Sequence, residues 1–173
     1  MMERLNSNNQ PNLFLLSYHP INLAVLDFLV VPKHFFIPQI IEKRKPLKST
    51  ARRAGWVGCN INLGLIPQKG RIYYVHEKQK VSKETILHNW VDMLFLREER
   101  ITGRGWVLDV MHCIDQLDKK DFTLEELYRF EKELSARHPA NRHVRDKIRQ
   151  QLQILRDQGY LEFVGRGGYR LNF

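Results

Sequence analysis

Asn141 to Phe173 reads NRHVRDKIRQQLQILRDQGYLEFVGRGGYRLNF, and this stretch decides the fold. Val144, Ile148, Leu152 and Leu155, together with Gln151, recur at the three- and four-residue spacing of one helical face. The spacing predicts a helix from near Asn141 to Gln158, stopped by Gly159, a residue free to adopt the left-handed conformation that closes a helix. Beyond it, Tyr160–Val164 (YLEFV) and Tyr169–Phe173 (YRLNF) read as two short strands. They are joined by Gly165-Arg166-Gly167-Gly168, a tight glycine-rich turn with one Arg at its tip.

Upstream, the pattern stays helical. Val107, Val110, Met111, Ile114 and Leu117 form the apolar stripe of a first helix. Thr123-Leu124-Glu125-Glu126 is a capping box, in which the Thr hydroxyl and the Glu carboxylate satisfy each other's backbone N–H groups, and it starts a second helix through Leu127, Phe130 and Leu134. Three helices followed by a hairpin make a winged helix-turn-helix, whose third helix enters the major groove of double-stranded DNA while the wing follows the backbone or minor groove. The face of the third helix opposite its apolar stripe holds Arg142, Asp146, Arg149, Gln150 and Gln153, flanked by His143, Arg145 and Arg156. Arg and Gln carry the paired donors and acceptors that match guanine and adenine edges. A polar face alone describes most amphipathic helices. The hairpin that follows, with Arg166 suited to a phosphate contact, is what favours DNA.

Working outward, the first half carries short apolar runs at Asn12–Tyr18 (NLFLLSY) and Leu23–Val31 (LAVLDFLVV), bounded by prolines, which read as two buried strands. Gly70–Val75 (GRIYYV) reads as a third, and Ser82 can cap a helix carrying Ile86, Trp90, Met93 and Leu94. The charged, glycine-containing stretch Arg97–Gly105 (REERITGRG) is read as the joint between a mixed α/β part, residues 1–98, and the winged helix, residues 99–173. The expected fold class is α+β.

The 173 residues carry a formal net charge of +9, and its location is informative. Between Glu42 and Trp56 six basic residues (Lys43, Arg44, Lys45, Lys48, Arg52, Arg53) face one acid, and between Asn141 and Phe173 seven face three. These two segments account for the whole excess. A single basic run is equally well a solvated surface, but two separate clusters point to a polyanionic partner. Cys59 and Cys113 are far apart and form no metal-binding spacing, which fits a reducing, cytoplasmic setting. The run Ile21–Val31 is too short to span a bilayer and contains Asn22 and Asp27. The opening MMERLNSNNQPN lacks the apolar core of a signal peptide. No membrane association is expected.

Several blocks together carry a resemblance. Lys45-Pro46-Leu47, Thr50-Ala51-Arg52-Arg53-Ala54-Gly55-Trp56, Lys69-Gly70-Arg71-Ile72, Phe122-Thr123-Leu124-Glu125 and Lys147 to Asp157 (KIRQQLQILRD) resemble, in order and across almost the whole chain, the DpnI type of restriction endonuclease, the Dam-replacing family. That resemblance implies a PD-(D/E)xK nuclease-like α/β domain followed by a winged helix, both reading GATC methylated on adenine N6. It also implies which parts of the family pattern this chain holds. The Asp and Glu-x-Lys that bind Mg²⁺ and activate water, and the Cys pairs that bind a structural zinc, precede in the family the segment with which this chain aligns. The chain is therefore expected to be the C-terminal portion of the nuclease-like domain plus the whole winged helix, with no catalytic residue and no cofactor of its own. Either upstream sequence lies outside this chain or the gene is degenerate. Asp109 with Asp118-Lys119-Lys120 imitates the missing spacing but falls in the first winged-helix helix and the turn after it, and is read as charged surface. Strands lacking their sequence-preceding neighbours should leave a sheet edge and exposed apolar surface.

Arg52, Arg53 and Trp56 are the candidate DNA contacts of the first half. A Trp is by default a core anchor. Under the resemblance, Trp56 instead contacts the methyl groups of N6-methyladenine in the major groove while Arg52 and Arg53 hold flanking phosphates. A winged-helix transcription regulator with an N-terminal α/β sensor is the alternative from another class. An RNA-binding module is disfavoured because no aromatic stacking platform is legible. Oligomeric state is not legible.

Overall fold

The computed structural model describes residues 11–97 and 101–173, with Ile101 and Thr102 described by their backbone alone. Most of the opening segment, and Glu98 to Arg100 of the charged joint, lie outside the described residues. The first part contains β1 (Leu13–Tyr18), β2 (Val25–Val31), β3 (Ile41–Lys43), β4 (Cys59–Ile61), β5 (Ile72–His76) and β6 (Gln79–Lys80), followed by α1 (Lys83–Asp92). One antiparallel sheet has the order β1-β2-β5-β6, and β3 and β4 form a separate hairpin. Ser82 caps α1 as its position suggests, its hydroxyl accepting from Thr85 N–H at 3.1 Å.

The first two strands are not both buried. In β1, Leu13 and Leu15 pack against the core, whereas Phe14, Leu16 and Tyr18 are each more than half exposed. A strand turns alternate side chains to opposite faces, so an unbroken apolar run does not say which face is covered. Among the described strands β1 pairs with β2 alone, and Phe14, Leu16 and Tyr18 line one face of this end of the sheet.

The second part contains α2 (Ile101–Leu117), β7 (Asp121–Thr123), α3 (Leu124–Tyr128), α4 (Glu131–Arg137), α5 (Val144–Asp157), β8 (Leu161–Gly165) and β9 (Gly168–Leu171). Its sheet, β7-β9-β8, adds one short strand to the wing, with Asp121 to Thr123 opposite Gly168 to Arg170. The order helix, strand, three helices, two-stranded wing is that of a winged helix whose second helix is split in two.

Three boundaries differ from the sequence expectation. First, α2 runs through Gly103 and Gly105, because the buried stripe of Trp106, Val107, Val110 and Met111 outweighs the modest helix penalty of two glycines. Second, the second helix is broken at Arg129-Phe130. Here Arg129 and Phe130 N–H groups donate to carbonyls three residues back, a tightening that needs no glycine or proline and so leaves no mark in the sequence. Third, α5 begins at Val144 rather than Asn141. The Asn141 side chain accepts from His143 N–H at 2.7 Å, closing a turn before the helix.

A single apolar core runs from Val31, Phe35 and Ile66 through Met93 and Leu96 to Met111, Leu152 and Leu161, so the two parts share one interior. Gly70 lies in it, where a Cβ would approach the Phe35 ring to 2.6 Å. Polar contacts add to the join: Gln68 N–H donates to Asp115 at 2.7 Å, and the Lys69 ammonium lies 3.9 Å over the Phe173 ring.

Candidate nucleic-acid interface

The apolar stripe of α5 is buried as its spacing requires, with Val144, Ile148, Gln151, Leu152 and Leu155 all inside. Each fully buried aliphatic side chain stabilises this docking by about 1.5–3 kcal/mol. The helix ends where Gly159 takes φ +73°. Tyr160 N–H then bonds to the Leu155 carbonyl and Gly159 N–H to that of Arg156, the paired bonds of a Schellman cap. The register of α5 is thereby fixed at both its buried face and its end.

Arg145, Asp146, Arg149, Gln150, Gln153 and Arg156 are all exposed on the remaining faces of α5. Arg142 and His143 are also exposed, but they precede the helix because of the Asn141 turn, and His143 is the capping position. They therefore flank the entry of α5 rather than extend its polar face. Arg145 Nε donates to Glu131 at 2.8 Å, Arg149 Nε donates to the Tyr128 hydroxyl at 2.6 Å, and Lys147 Nζ donates to Gln150 at 2.7 Å. The bonds to Glu131 and Tyr128 raise the pKa of Arg145 and Arg149 respectively.

Arg166 lies at the tip of the wing with φ +50°, followed by Gly167 at φ +74°. Two successive left-handed residues give the tight hairpin turn whose twist matches the flanking strands. Between α5 and the wing a cleft of about 160 Å³ is lined by Arg149, Leu152, Gln153, Arg156, Phe163 and Tyr169. Phe163 is half exposed beside this cleft, an apolar surface among cationic and amide side chains. Neither Tyr128 nor Phe163 stands out in the sequence. Both belong to ordinary apolar patterning, and only the packing of α3 and β8 against α5 places them at the interface.

The first basic cluster lies on the β3–β4 hairpin. Arg44 N–H bonds to the Gly58 carbonyl, Leu47 N–H to that of Trp56, and Gly55 N–H to that of Leu47, so the hairpin continues past the strands into a closed loop. Arg52, Arg53 and Trp56 are all exposed on that loop. Trp56 is 52% exposed, and its ring lies over Gly58, where a Cβ would come within 2.9 Å of it. It is not a core anchor. The two basic clusters thus stand on separate elements, the hairpin loop and the α5–wing surface, on one interior.

The acidic residues that imitate a nuclease motif have other partners. Asp109 is not surface charge. It is buried, accepts from Arg137 Nη1 at 2.6 Å and faces His138 Nε2 at 2.7 Å, and Trp106 stacks on the His138 ring at 3.9 Å. The contacts tie α2 to the end of α4. Asp118 is a turn residue with φ +50°, and Lys119 bonds to Glu126. With the Thr123 backbone N–H, that Lys holds the Glu126 carboxyl at about 2. Burial raises Asp115, whose carboxylate accepts from Gln68, and pushes the Cys113 thiol up to about 12. Among the described residues no group of three or more His, Cys, Asp or Glu side chains could hold a metal ion. The described residues thus offer no such cluster to the Mg²⁺ or zinc that the resemblance associates with the family. Among them, too, no helix is long and apolar enough to cross a membrane.

A winged helix whose last helix, α5, presents an exposed, cation-rich face beside a basic wing tip defines a DNA-binding protein. The model of the Dam-replacing family matches residues 1–99, and that of the Dam-replacing HTH domain matches residues 102–171. The chain belongs to the Dam-replacing family. Its DNA-binding function is of the restriction type, and DNA is its partner.

Proposed function

We propose that this chain recognises double-stranded GATC methylated on adenine N6 and does not cleave it alone. In this reading α5 enters the major groove with Arg145, Arg149, Gln150 and Gln153 toward base edges. Arg142, His143 and Arg166 contact backbone phosphates, and the β3–β4 loop approaches the same site with Trp56 toward the N6-methyl groups and Arg52 and Arg53 on flanking phosphates. It acts in the cytoplasm. The observation that carries the reading is Trp56: a large apolar ring exposed within a basic loop that forms no ion pair with any described residue, in a chain whose other end is a DNA-binding winged helix. A methyl group projecting into the major groove is the kind of apolar, polarisable target such a ring suits. Binding without cleavage is supported by the acids themselves. Asp109 is bound by Arg137 and His138, Asp115 accepts from Gln68, and Glu126 is held by Lys119 and Thr123.

Footprinting on plasmid grown with and without adenine methylation tests the reading. Protection confined to methylated GATC is expected, and Trp56→Ala should lower the methylated-to-unmethylated preference by about tenfold. An equal loss of affinity for both plasmids would remove Trp56 from the reading, and nicking of either plasmid by this chain with Mg²⁺ would overturn its non-cleaving part.

A further inference from the structure

We infer that Tyr128 is the positioning residue that presents Arg149 to a guanine edge. The inference rests on the proposed entry of α5 into the major groove and adds to it a second layer of residues.

Tyr128 ends α3 directly beneath α5 and is only 8% exposed. Its hydroxyl accepts from Arg149 Nε at 2.6 Å, and the Arg145 guanidinium carbon lies 4.7 Å from its ring centroid. Which guanidinium nitrogen is held matters. A guanidinium tied at Nε keeps Nη1 and Nη2 as an outward fork, the pair whose spacing matches guanine O6 and N7. The one carboxylate that pairs with Arg149 among the described residues is Asp146, with 3.8 Å between its oxygen and Nη1, too long for a hydrogen bond. Both side chains are more than half exposed, so a base edge displaces that contact easily. Arg145 is held in the same manner, with Nε on Glu131 and its face on the Tyr128 ring. Tyr128 thus limits two long side chains that would otherwise sample many rotamers before binding. Ordering them in advance reduces the entropy lost when DNA binds.

The test compares Tyr128→Phe, which removes one oxygen and leaves the ring under Arg145, with wild-type and Arg149→Ala chains. Each is titrated by fluorescence anisotropy with a methylated GATC duplex and with the same duplex carrying 7-deazaguanine, which lacks the N7 acceptor. Wild type is expected to prefer guanine by about tenfold. Tyr128→Phe should lose most of that preference through weaker binding of the guanine duplex, with unchanged affinity for the 7-deazaguanine duplex. Equal losses on both duplexes, or no loss, would overturn the role of Tyr128. If Arg149→Ala then still abolishes the preference, the major-groove reading of α5 stands without it. A preference that is missing in wild type or survives in Arg149→Ala overturns that reading and the inference together.

Discussion

The two basic regions are built in opposite ways. On α5 and the wing strands four arginines are held, Arg145 by Glu131, Arg149 by Tyr128, Arg156 by Asp157 and Arg170 by Asp121, and Arg166 at the wing tip is the exception, with no ion pair to any described residue. On the β3–β4 hairpin Lys43, Arg44, Lys45, Lys48, Arg52 and Arg53 form no ion pair with any described residue. Held guanidinium groups lose little freedom on binding and suit base reading, which depends on angle. Unpaired cations on a loop suit phosphate contact, which depends on charge and tolerates rotation. In the proposed complex, α5 therefore supplies register and base preference while the hairpin supplies salt-sensitive affinity, with Trp56 as its one apolar contact.

The largest expected effect abolishes the contrast by weakening the interior that both regions share. His34 is buried in the first part, and burial, with Arg104, Arg97 and Lys33 nearby, pushes its pKa down to about 4. The unfolded chain, with an ordinary His near 6.5, then binds the proton more readily than the folded chain. Stability is full above about pH 6.5 and falls as the pH drops toward 4, by roughly 3 kcal/mol at the lower end. Urea unfolding at pH 7 and pH 4.5 checks this. His34→Asn should flatten the difference, and an equally steep loss in the variant would assign it to other groups.

A smaller effect separates the regions. Arg52→Ala with Arg53→Ala should reduce the slope of log affinity against log salt by about 2, one phosphate contact for each residue, and leave base preference unchanged. Filter binding across a salt series measures both. A loss of base preference with an unchanged slope would reverse the assignment of the two regions.

The smallest acts on the held side alone. The capping box at Thr123 and Glu126 starts α3, whose far end is Tyr128. Thr123→Ala should cost about 1 kcal/mol and weaken base discrimination, while the salt slope set by the hairpin stays as it was. Thermal unfolding and the same salt series check both halves.

Much of the α5 side is legible in the sequence, because it rests on local rules. The three- and four-residue spacing places Val144 to Leu155 inside and the arginines outside, Gly159 marks the stop, and the glycine turn marks the wing. What stays hidden depends on contacts between distant residues. Tyr128 meets Arg149 across 21 positions, and Asp109 meets Arg137 across 28. Neither partner looks unusual in its own segment, so Asp109 reads as surface charge when it is a buried tie between helices. On the hairpin side the sequence marks the charge and the unexpected Trp. The exposure of that ring becomes visible only once the backbone bonds from Arg44 to Gly58 close the loop and hold Trp56 outside the core.

The most direct test of the central claim is equilibrium binding of this chain, at one fixed salt concentration, to two duplexes that differ only in the N6-methyl groups of GATC. The account predicts at least tenfold tighter binding to the methylated duplex. Equal affinity for the two would contradict it.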